Sequence, residues 1–173
     1  MGKSKIMRYV ALITVLAAVS LADVATIMSQ LQSLQKQVES YDSAIGKYDG
    51  SYMSMLPIAT GSFKMHQAAR EARKAIEDSD TISEADASQL IGQAEDVDQA
   101  IHRTLDTTAS KDKIADDNGF KQVGALMLTH FQNEQRAFHE VLNGKLPNSS
   151  REKVKGTMKQ AADKFDVVLR RYA

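Results

Sequence analysis

Neither cysteine nor tryptophan occurs among the 173 residues. Without cysteine the protein has no disulfides, thiolate metal sites or cysteine nucleophiles, and the fold must be held by packing. Catalytic signatures are missing as well. There is no G-x-S-x-G elbow, phosphate-binding glycine loop, dinucleotide fingerprint or H-E-x-x-H pair. The four histidines, His66, His102, His130 and His139, follow Phe63, Gln99, Met127 and Arg136 by three positions, so the Glu-x-x-His motif of di-iron bundles is absent. His130 and Glu134 share a helical face at i, i+4, which suits an ion pair better than a two-ligand metal site. Asp116-Asp117-Asn118-Gly119 is a poor calcium loop, because EF-hand spacing would require an oxygen ligand at Ile114. The sequence therefore predicts no enzyme, no cofactor and no metal ligands.

The N-terminal residues are read apart from the rest. Lys3, Lys5 and Arg8 precede an apolar run from Tyr9 to Val19, and Ser20-Leu21-Ala22 places small residues where a signal peptidase inspects them. The run is too short for a transmembrane helix, which takes about 20 residues. Residues 1–22 are predicted to be a signal peptide cleaved before Asp23, leaving one domain over residues 23–173 in a secreted protein. The signal holds three of the 22 basic residues and none of the 22 acidic ones, so the mature net charge is −3. That balance disfavours a nucleic-acid partner, whose binding depends on neutralising phosphates. Asn148-Ser149-Ser150 is a glycosylation acceptor, with Asn148 the expected site.

The mature chain is rich in helical periodicity. Val24, Ile27, Leu31, Leu34, Val38, Tyr41, Ile45 and Tyr48 recur at threes and fours, forming one apolar stripe that ends before Asp49-Gly50-Ser51. A second helix is expected from Tyr52, with Pro57 early in it, and a third after a capping box read at Thr81-Ile82-Ser83-Glu84. The stretch from Thr107 to Gly119 reads as a loop. A fourth helix is expected from about Phe120 to Asn143, stopped by Asn143-Gly144, and a fifth after Leu146-Pro147. No segment alternates with period two. The predicted class is all-α, an antiparallel bundle of about five amphipathic helices without disulfides.

Two inventories bear on function. Residues 77–118 hold twelve acidic and three basic side chains, whereas residues 145–173 hold eight basic and three acidic. Those segments are either neighbours or two solvated faces. The second inventory is apolar and adaptable: Met55, Phe63, Met127, Phe131, Phe138, Met158 and Phe165 lie on helical stripes. Flexible methionines beside phenylalanines can form plain core or line a site for a lipid chain.

The sequence resembles the fungal hydrophobic surface-binding protein A (HsbA) and cell-wall galactomannoprotein family over nearly the whole mature chain. The resemblance lies in Asp23-Val24-Ala25-Thr26-Ile27, the long helix into Tyr48-Asp49-Gly50, and Met55-Leu56-Pro57-Ile58. It continues in the helix from Ala125-Leu126-Met127-Leu128 to Phe138, the Leu146-Pro147 turn and a last helix ending near Tyr172. The resemblance implies a secreted or wall-associated, non-enzymatic helical bundle that binds hydrophobic surfaces, fatty acids or other amphiphiles, and that can recruit a secreted hydrolase. Wall-anchored relatives extend into a Ser/Thr-rich tail, whereas this sequence stops at Ala173, so a freely secreted protein is expected. The alternative is a protein-interaction module, an effector or antigen with a wall or host partner and no lipid ligand, docking through its charged segments.

Overall fold

The computed structural model describes residues 23–173 in full and residues 3–22 as backbone only; the expected signal peptide and its cleavage site lie outside the fully described residues. Six helices follow in order: α1 (Lys3–Gly46), α2 (Tyr52–Asp78), α3 (Glu84–Ala109), α4 (Asp112–Asp117), α5 (Lys121–Lys145) and α6 (Asn148–Tyr172). No strand occurs among the described residues. The class is therefore all-α as expected, with six helices where five were read. The extra element is α4, a short helix inside the segment expected to be a loop. Ala115 buries against the core there, and the Asp112 carboxylate accepts the Lys113 backbone N–H at 2.6 Å.

Local chemistry sets the ends of these helices. Ser51 caps α2 by accepting the Ser54 N–H at 3.2 Å. Pro57 leaves α2 unbroken, and the carbonyl deprived of its N–H partner belongs to the exposed Met53, where water can serve. The cap of α3 is Ser83, whose hydroxyl accepts the Asp86 N–H at 3.2 Å, so the helix cap lies two residues beyond the expected Thr81. Ile82 explains the displacement: it is buried, and its N–H is taken by the Lys145 carbonyl at 3.0 Å, holding it outside the helix. Nor does α5 stop at Asn143-Gly144. It runs to Lys145 and ends at Leu146, whose extended backbone (ψ 150°) is the conformation favoured before a proline.

The five long helices close into a ring. Round it, α1 packs on α2, α2 on α5, α5 on α6, α6 on α3, and α3 on α1. Helices consecutive in the chain alternate in direction, yet three faces of the ring join parallel helices. Gln93 reaches Gln35 and Thr107 lies against Gly46, which sets α3 parallel to α1. Ser149–Glu84, Lys153–Glu95 and Lys164–Asp106 do the same for α6 and α3. His66–His130 and Arg73–Glu134 do so for α2 and α5. The acidic and basic segments are thus neighbours, with Lys153 and Glu95 in contact at 2.9 Å.

Each long helix turns an apolar face inward, although Tyr52 and Phe63 of the stripe expected on α2 are exposed. The α1 stripe is buried from Ile27 to Tyr48 at every position expected, and Ile76, Leu90, Leu142 and Val168 complete the interior. Each such aliphatic side chain contributes about 1.5–3 kcal/mol on burial. Packing of this extent substitutes for the disulfides that the sequence cannot make.

Candidate functional site

A ring of five helices leaves space at its axis, and here that space is a cavity of about 130 Å³. Hydrocarbon dominates its wall, with Leu34, Val38 and Tyr41 from α1, Met55, Ile58 and Met65 from α2, Val97 and Ile101 from α3, and Phe165 from α6. Helix α5 supplies the most side chains, among them Met127, Phe131 and Phe138. Tyr41 and Phe131 meet edge to face, their centroids 5.6 Å apart.

Five of the seven residues expected to bind lipid therefore share one cavity: Met55, Met127, Phe131, Phe138 and Phe165. Phe63 is not among them. It is 68 % exposed, because it lies on nearly the opposite side of α2 from Met65, two residues on. Met158 is half-buried and off the wall, two turns of α6 before Phe165. Asn148 is exposed as the first residue of α6.

Polar groups gather at two levels of the cavity. At the inner end Asp98 on α3 crosses the ring to α5, where its Oδ1 accepts the Gln135 side-chain N–H at 2.9 Å and meets His139 Nε2 at 3.1 Å. All three side chains are buried, and Asp98 Oδ2 and His139 Nδ1 have no partner within the protein. This cluster separates the main cavity from a much smaller one beside Ile91 and Leu142. The only trace of it in the sequence is polar residues on apolar stripes: Asp98 four after Ala94, Gln135 four after Phe131, and His139 four after that.

At the other end lie the last turns of α1, α3 and α6 and the first turns of α2 and α5. Gly50 makes the turn there with φ +91°, close against Asn118. Lys111 is the one lysine or arginine on the cavity wall among the described residues, and its ammonium donates to the Tyr48 carbonyl at 3.0 Å. The buried Tyr48 hydroxyl has no partner within the protein, while Tyr172 donates its hydroxyl to the Thr108 carbonyl at 2.9 Å. Desolvation raises the pKa of all three tyrosines near this end, Tyr41, Tyr48 and Tyr172, with Tyr172 pushed up to about 12. They remain neutral donors at physiological pH. Val123 both lines the cavity and is 43 % exposed, which marks this end as the mouth.

On the wall between the two levels, His66 and Glu134 meet across the α2–α5 seam. Glu134 was read as a partner for His130; instead its Oε2 pairs with Arg73 at 3.2 Å, while its Oε1 lies 4.0 Å from His66 Nδ1. His130 Nε2 faces the same His66 nitrogen at 3.1 Å.

Fold and site together define a helical-bundle protein with an adaptable apolar interior. The chain belongs to the hydrophobic surface binding protein A family, which matches it over residues 24–144. No curated protein matches it in sequence. Solved structures match its fold despite low identity. AfMp4p in complex with palmitic acid superposes with a TM-score of 0.84 at 15 % identity, covering 87 % of this chain and 99 % of that one. Ligand-binding domain 1 of the Penicillium marneffei MP1 protein, complexed with arachidonic acids, gives 0.81 at 16 % identity, with coverage of 87 % and 99 %. Domain 2 of the same protein, complexed with multiple arachidonic acids, gives 0.80 at 15 %, covering 87 % and 96 %.

Proposed function

We propose that this protein is a secreted, non-enzymatic carrier that encloses the acyl chain of a fatty acid or a similar amphiphile inside the helix ring. The observation that carries the reading is the cavity itself, mostly apolar between its two polar ends and lined by Met55, Met127, Phe131, Phe138 and Phe165. Its fold neighbours AfMp4p and the MP1 domains, seen with palmitic and arachidonic acids, support the same ligand class.

The carboxylate belongs at the mouth. Lys111 offers the cation and Tyr48 an unused hydroxyl donor there, whereas Asp98 at the inner end would repel a second carboxylate. A space of about 130 Å³ is smaller than the roughly 300–1,000 Å³ usual for a ligand of this size. Met55, Met65 and Met127 must therefore change rotamer, and the helices spread, as a long chain enters; unbranched thioether side chains make this feasible.

A chain-length series tests the reading. In titrations of delipidated protein with saturated fatty acids from ten to sixteen carbons, affinity should rise roughly fourfold per added CH₂, since each contributes about 0.8 kcal/mol when buried. Lys111→Met should weaken palmitate by about 10- to 100-fold, the worth of a hydrogen bond to a charged group, and leave hexadecanol unaffected. Binding independent of chain length, or abolished by high salt, would instead favour a protein-interaction module.

Adsorption to hydrophobic surfaces is a second form of the same activity, favoured by one observation. Tyr52, Met53 and Leu56 on α2, with Val123 and Leu126 on α5, are exposed apolar residues on the first turns of two neighbouring parallel helices. They flank the mouth, where a surface could open the ring.

A further inference from the structure

We propose that His66, His130 and Glu134 form a binding site for a borderline divalent transition-metal ion, Zn²⁺ or a close relative, at the seam between α2 and α5. The argument is geometric. One ligand atom from each of the three residues lies within 4.8 Å of the other two. The two imidazole nitrogens stand 3.1 Å apart, and Glu134 Oε1 is 4.0 Å from the nearer. Ligands about 2.0–2.1 Å from a tetrahedral ion are separated by about 3.3 Å, so small side-chain rotations bring all three onto one centre. Two imidazoles and a carboxylate are the donor set of a zinc site that keeps a fourth position for water, and the exposed His130 leaves room for it.

Arg73 fits the same arrangement. It binds Glu134 through Oε2 and Glu77 at 3.5 Å, leaving Glu134 Oε1 turned toward the histidines. A carboxylate anchored on one oxygen and free on the other is oriented as metal ligands are by their outer partners. Without the ion, the two imidazoles share a hydrogen bond at 3.1 Å, which coordination would replace. The ion would clamp α2 to α5 beside the cavity wall, to which His66 and Glu134 both contribute. The site does not depend on the lipid reading, because its ligands come from the outer side of the seam as well as from the wall.

The test is titration of the chelator-treated full chain with Co²⁺, followed by its visible ligand-field bands, and then displacement with Zn²⁺. One ion per chain with tetrahedral-type bands is expected, together with a rise in the thermal midpoint on adding Zn²⁺. His66→Ala and His130→Ala should each weaken binding at least tenfold and abolish that rise, while His102→Ala changes neither. Glu134→Gln, which retains an acceptor for Arg73, should also weaken binding and guards against a variant that fails to fold. No stoichiometric Co²⁺ uptake, or uptake unchanged in the two histidine variants, overturns the proposal.

Discussion

Single side chains carry the polar logic of the interior, and Asp98 is the most exacting of them. It accepts from Gln135 and meets His139, all three side chains being buried. Asp98→Ala leaves both without their shared acceptor, and a loss of roughly 2–5 kcal/mol in urea unfolding is expected. Asp98→Asn, which keeps an acceptor, should lose less; equal losses would mean that packing alone matters there. The tyrosines predict an alkaline limit. Their pKa values are raised in the folded state, so above pH 10 the unfolded chain gives up phenolic protons that the folded chain retains. Stability should therefore fall as pH rises from about 10, with the Tyr172 share spent near pH 12, and Tyr172→Phe should flatten that part of the curve in thermal unfolding. The apolar wall was largely legible in the sequence, because Met127, Phe131, Phe138 and Phe165 fall on stripes. Lys111, Asp98 and Gln135 were not, since a polar residue beside a stripe looks the same whether it faces water or a partner across the ring.

The helices explain how the cavity stays open. Gly124 on α5 lets the Tyr172 ring approach its backbone closely, and an added Cβ would stand 2.6 Å from Cε1 of that buried ring. Gly124→Ala should destabilise the fold by about 1–3 kcal/mol and displace the ring toward the mouth, lowering palmitate affinity. An unchanged thermal midpoint would show that the two helices can separate at no cost. Element existence was legible from periodicity; element ends were not. Thr81 and Ser83 are both followed three residues later by an acid, and only the long-range bond from Ile82 to Lys145 selects Ser83. Gly144 looked like a stop, but it has no positive φ; Pro147 ends the helix instead, with Arg151 donating to the Leu146 and Gly144 carbonyls.

For the whole molecule, the decisive feature is the order of helices round the ring, which encloses an axis rather than filling it. Stripes announce that helices pack without naming their neighbours. The charge asymmetry hinted at α3 beside α6, and Lys153–Glu95 and Lys164–Asp106 realise it. Exposed pairs of this kind contribute only about 0–1 kcal/mol each, so they select among packings that the apolar stripes make possible. Parallel placement of α2 and α5 brings the mouth, the exposed apolar turns and Lys111 to one end. The carrier reading is tested most directly by native mass spectrometry of the purified chain, with extraction of any bound lipid and then addition of oleate. A stoichiometric fatty-acid adduct, present on purification or formed on addition, is the predicted result. A spectrum of bare protein that takes up no oleate would contradict the reading.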